Sequence, residues 1–126
     1  MIENLKALVN QDERLIRRGR LIDTTFLLEV GDASYLVKVD EGRIASVVQG
    51  PFVMPSWSFA LRASEETWSQ FWLSLPPPGS NDLFALIKRG ALRVEGNLHP
   101  FMSNLFYFKG VMTTLRSTSS QEVGND

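Results

Sequence analysis

Over residues 24–48 apolar and polar side chains alternate with a period of two, and this constrains the fold more than any other stretch. Residues 24–30 are rich in β-branched and aromatic side chains, which suit a pleated, half-buried surface. Gly31-Asp32 supplies a turn, and Tyr35, Val37 and Val39 then fall on one face. Glu41-Gly42 supplies a second turn, and residues 43–48 form a third strand. Connections this short leave only antiparallel pairing, because a parallel return needs a crossover of a dozen or more residues. The chain therefore contains a three-stranded meander.

Upstream of the meander the period is helical. Ile2, Leu5, Leu8, Val9, Leu15 and Ile16 recur on one side of an amphipathic helix over residues 1–18, broken near Asn10 and ending before Gly19. Arg14, Arg17, Arg18 and Arg20 cluster at its end, where cations complement the helix dipole. A solvated face is preferred here to an anion or lipid-headgroup contact. Downstream, Gly50, Pro51 and Pro55 bracket a loop, and Trp57, Phe59, Leu61 and Ala63 share one face of a fourth strand. Ser64 is placed to cap a helix in which Trp68, Phe71 and Trp72 fall at i, i+3 and i+4. Pro76-Pro77-Pro78-Gly79 reads as a rigid spacer rather than a docking peptide.

Residues 83–115 hold most of the remaining information. Asn81 or Asp82 caps a short helix carrying Leu83, Phe84, Leu86 and Ile87, and Gly90 stops it. Leu92 and Val94 alternate with Arg93 and Glu95 in a fifth strand, and Gly96-Asn97 breaks it. One long helix is predicted over residues 100–116, with Phe101, Leu105, Phe108, Met112 and Leu115 as its stripe and Met102, Phe106 and Val111 widening it. Gly110 in that helix serves either close packing or room for a bulky ligand. Residues 117–126 are polar and are expected to be a disordered tail, which leaves residues 1–116 as a single domain.

The composition narrows the function classes. Cysteine is absent, which excludes disulfides, thiolate metal sites and thiol chemistry. The single histidine, His99, has no second histidine with which to build a zinc site, and no metal or cofactor is implied. No phosphate-binding glycine motif, no nucleophile elbow and no carboxylate pair on an apolar face occurs, so the expectation is a protein that is not an enzyme. A net charge of −1 gives no global field for nucleic acid, and no run is long enough for stable membrane insertion. The N-terminus lacks the apolar core of a signal peptide, so a cytoplasmic location is expected. What remains is apolar volume. Met54, Met102 and Met112 suit walls that adapt to a greasy guest, although an aromatic and methionine stripe is more often plain core.

Three segments, in order, carry a resemblance: FLLEVGDASYLVKVDEGRI, SFALRASEETW and, above all, FALIKRGALRVEGNL. Together they make residues 24–115 similar to the sterol carrier protein 2 (SCP2)-like lipid-binding family. The resemblance implies an α+β fold, with a mainly antiparallel five-stranded sheet covered by helices on one face. It further implies an apolar tunnel between sheet and C-terminal helix, that helix being a movable wall, and non-catalytic carriage of a fatty acyl, sterol-like or isoprenoid lipid. Carried onto this chain, the lining residues are Phe59, Leu61, Phe84, Ile87, Leu92, Val94, Met102, Leu105, Phe106 and Met112. Trp68, Phe71 and Trp72 form either the tunnel mouth or a helix-packing face. The alternative implied is an accessory module of lipid or quinone metabolism that uses the same apolar face for a partner or a homodimer. The chain departs from the family pattern at Ala91, where a lysine is usual, at the triproline link, and in the aromatic bulk of its last helix.

Overall fold

A computed structural model describes residues 2–73 and 75–124, with side chains as far as Arg116. A 3-10 turn at Ile2–Asn4 leads into α1 (Leu5–Asn10) and α2 (Glu13–Arg18). The meander follows as β1 (Asp23–Val30), β2 (Ala33–Asp40) and β3 (Arg43–Gln49), and then come β4 (Phe59–Ala63) and α3 (Glu65–Phe71). The chain closes with α4 (Leu83–Lys88), β5 (Leu92–Gly96), α5 (Leu98–Ser103) and α6 (Leu105–Gly124). The sheet order is β3-β2-β1-β4-β5, antiparallel throughout except where β4 lies parallel to β1. This is the expected α+β architecture.

Side-chain alternation sorts the sheet into two faces. Phe26 and Leu28 of β1 pair with Phe59 and Leu61 of β4, all four are buried, and all belong to the main core with the helices. Leu27 and Ala60 are also buried but point to the opposite face, outside that core. The β3–β4 connection passes from the sheet edge beyond β2 and β1 to reach β4. Its ends are held by Gly50 N–H donating to the Ser34 carbonyl and Ser58 N–H donating to the Thr25 carbonyl, each at 2.8 Å.

The N-terminal helix breaks after Asn10, as its sequence suggests, because Asp12 caps α2 through its side chain, which accepts from the Leu15 N–H. Asn10, just before that break, turns its amide onto edge strand β3, donating to the Ile44 carbonyl and accepting from the Ile44 N–H. This satisfies backbone groups that an edge strand otherwise leaves to solvent. The last helix, by contrast, differs from the single helix expected over residues 100–116: it is two, split at Asn104. Past Arg116 the backbone stays helical through Gly124, where a tail is expected, since no glycine or proline after Gly110 intervenes to stop it. Residues 125–126 of that expected tail lie outside the described residues.

Several local expectations hold. The Ser64 hydroxyl caps α3 by accepting from the Thr67 N–H at 3.0 Å, and Gly90 ends α4 with a φ of 76°. Trp68, Phe71 and Trp72 are buried and pack the helix: the Trp68 indole donates to the Glu29 carbonyl and the Trp72 indole to the Met112 carbonyl. Gly110 serves close packing, since a side chain there would meet Leu15 of α2.

The junction of α2, the β2–β3 turn and α6 is built around Tyr107. Its hydroxyl donates to the Gly42 carbonyl at 2.7 Å, and its ring occupies the space a side chain at Gly19 would need. Burial pushes the phenol's pKa up, so it remains a donor throughout the physiological range. A phenol titrating higher in the folded than in the unfolded chain contributes stability below the unfolded value of about 10 that is lost as pH rises beyond it. Denaturant unfolding of the wild type should therefore show a loss of stability above about pH 10 that is smaller in Tyr107→Phe. At neutral pH the same substitution should cost about 1–3 kcal/mol, from the buried carbonyl left unpaired.

Candidate ligand site

The space between sheet and α6 is packed with rings. Phe26 stacks on Phe59 at 5.3 Å, and Phe108 meets both edge-on at 5.7 and 5.1 Å. Phe101 closes the block at 5.4 Å from Phe59 and 5.9 Å from Phe108. These edge-to-face and offset contacts are the favoured aromatic geometries. The position in which the resemblance implies a tunnel is thus filled by side chains. Phe108→Ala should cost about 3–5 kcal/mol in denaturant unfolding and create an interior cavity, detectable as new binding of a small apolar probe such as benzene.

Helix α6 is also fixed along its far side. Lys109 pairs with Asp82 at 3.1 Å, Met112 accepts from Trp72, and Arg116 donates to the Phe71 carbonyl while its guanidinium lies 4.6 Å from the Phe71 ring centre. Helix α5, by contrast, buries only Phe101. The two are separated by Asn104, whose amide donates back to the Pro100 carbonyl at 2.9 Å while its own carbonyl accepts from the Phe108 N–H. Asparagine satisfies backbone groups locally in this way, which is why it interrupts helices.

At this break the surface opens into a groove of about 680 Å³, within the range of small-molecule sites. Its apolar wall is Met102, Leu105 and Phe106, and Arg18 at the end of α2 stands at its side. Phe106 is 72% exposed and Met102 47%, although both are large apolar side chains. A second groove of about 420 Å³ shares Arg18, Ser103 and Asn104 with the first and adds Arg20, Leu21, Ile22, Asp23, Thr24, His99 and Pro100. The Thr24 hydroxyl there is buried with no hydrogen-bond partner. Among the described residues Arg18 has no carboxylate at salt-bridge distance. The two grooves therefore meet at Arg18, Ser103 and Asn104, with Met102, Leu105 and Phe106 on one side and Arg20, Asp23 and Thr24 on the other.

The ten residues read as lining separate into three groups. Met102, Leu105 and Phe106 share the groove. Phe59, Leu61, Leu92 and Met112 are buried core, and Phe84, Ile87 and Val94 lie on α4 and β5, with Phe84 exposed and the other two half-buried. Arg18, Thr24 and Asn104 were not singled out as ligand residues in sequence; the arginine cluster was the available signal. His99, exposed in the first turn of helix α5, has both ring nitrogens 3.3 Å from the Ser103 hydroxyl. Among the described residues no group of three histidines or carboxylates is gathered to hold a metal ion.

The fold is that of sterol carrier protein 2 domains. A crystal structure of sterol carrier protein 2 superposes with a TM-score of 0.73 at 13% identity, covering 89% of this chain and 90% of that one. A conserved Thermus thermophilus protein described as possibly a sterol carrier protein gives 0.66 at 13% identity, over 90% and 84% of the two chains. The UbiJ-SCP2 ubiquinone synthesis protein gives 0.58 at 19% identity, over 90% and 87%. No family model and no curated protein matches the chain.

Proposed function

We propose that this protein is a non-catalytic binder of an amphiphile with an acidic headgroup, seated in the groove at the α5–α6 break. The observation that carries the reading is Arg18, which has no carboxylate at salt-bridge distance among the described residues and borders both the groove walled by Met102, Leu105 and Phe106 and the one that holds Arg20 and Thr24. An acyl or isoprenoid chain would lie along Met102, Leu105 and Phe106, each methylene removed from water contributing about 0.8 kcal/mol. A carboxylate or phosphate would accept from the Arg18 guanidinium, with Arg20 and the unpartnered Thr24 hydroxyl within the same recess. The sterol carrier fold supports lipid binding in general. The grooved exterior supports a chain-like guest over a bulky ring system, because the sheet–helix interior is occupied by phenylalanines.

The test is displacement of a fluorescent fatty acid by unlabelled ligands of matched chain length. The wild type should prefer a fatty acid to the corresponding alcohol. Arg18→Ala should weaken the acid by about tenfold or more, the loss expected for a hydrogen bond to a charged group, and leave the alcohol unchanged. Phe106→Ser should weaken both. Equal loss of acid and alcohol in Arg18→Ala would remove the headgroup assignment. A ligand-free dimer that buries the groove would contradict the whole reading.

A further inference from the structure

The loop over residues 50–58 has no part in that groove and has its own unexplained feature. Val53 and Met54 are 94% and 93% exposed, the most exposed large apolar residues of the described chain. Met54 holds a φ of 51°, a left-handed conformation that costs a non-glycine residue energy and persists only when its surroundings impose it. The loop is anchored to the sheet. Its two backbone bonds to Ser34 and Thr25 fix the ends, and the Trp57 ring lies 5.8 Å from the Arg62 guanidinium carbon. Arg62 is in turn held by Glu29 and Glu95. The loop thus has a fixed base and a bare apolar tip.

From Ile44 to Leu61 the chain carries no charged residue. A tip of two side chains is far too small for a stable protein–protein interface, which needs about 800 Å² on each partner. It does suit shallow insertion among lipid headgroups. There apolar side chains leave water without any charge being desolvated, and a tryptophan at the base of the tip sits at the depth that indole prefers.

We infer that Val53 and Met54 dock this protein reversibly on the interfacial zone of a lipid bilayer, with Trp57 at the headgroup level. The contact is apolar rather than electrostatic, so it does not need anionic lipid, and it does not depend on the groove holding a ligand.

The experiment is co-sedimentation of the full chain with small unilamellar phosphatidylcholine vesicles, in low and high salt. The wild type should partition onto neutral vesicles equally in both, and Val53→Ser/Met54→Ser should partition at least tenfold less. Both side chains are solvent-exposed, so the variant should fold, as circular dichroism would verify. Brominated phosphatidylcholine should quench the wild type but not Trp57→Phe, since Trp68 and Trp72 are buried. The proposal is overturned if the double variant binds like the wild type. It is equally overturned if the wild type ignores neutral vesicles, or binds only anionic ones in a salt-sensitive way, which would assign the contact to the arginine cluster.

Discussion

Much of this structure depends on the packing of Phe108 against Phe26 and Phe59. A helix and a sheet can enclose a cavity only if the side chains between them are too small to meet. Here three phenylalanine rings meet at 5.1 to 5.7 Å, and Phe101 seals their flank. The block joins β1, the β4 strand parallel to it, and α6 into one unit. Rings packed this closely admit no guest without separating, which is why the proposed site lies on the exterior.

The break at Asn104 follows from the same constraint. Phe101 and Phe108 both reach the ring block, from two successive helices with one non-helical residue between them. Asn104 supplies it while bonding its side chain to Pro100. Met102 and Phe106, one on each side of this break, are exposed and line the groove beside Arg18. α6 is tied by Lys109, Met112 and Arg116, whereas Phe101 is the one buried residue of α5.

Much of the fold was legible because local rules and tertiary structure agree. The meander is dictated by its alternation and short turns, α3 by its Ser64 cap and aromatic face, and the end of α4 by Gly90. The parallel pairing of β4 with β1 was not legible, since a nine-residue connection can lead to either orientation. The site was less legible than the fold. Phe106 widens the predicted stripe in sequence, yet it lies six residues from Met112 on the same helix, about 120° around its axis, so α6 buries Met112 and leaves Phe106 to solvent. Arg18 was visible as a charge, but its meeting with the groove depends on Gly19 and Gly42, which let Tyr107 draw α2 against α6.

The central claim is that a ligand occupies the exterior groove and leaves the ring block intact. Amide and methyl chemical-shift mapping by NMR, during titration with a medium-chain fatty acid, tests this most directly. The account predicts saturating shifts at Arg18, Met102, Asn104, Leu105 and Phe106, with the resonances of Leu28, Leu61 and Met112 in place. Shifts centred on Leu28, Leu61 and Met112, with little change at Arg18 and Phe106, would place the guest between sheet and α6 and contradict it.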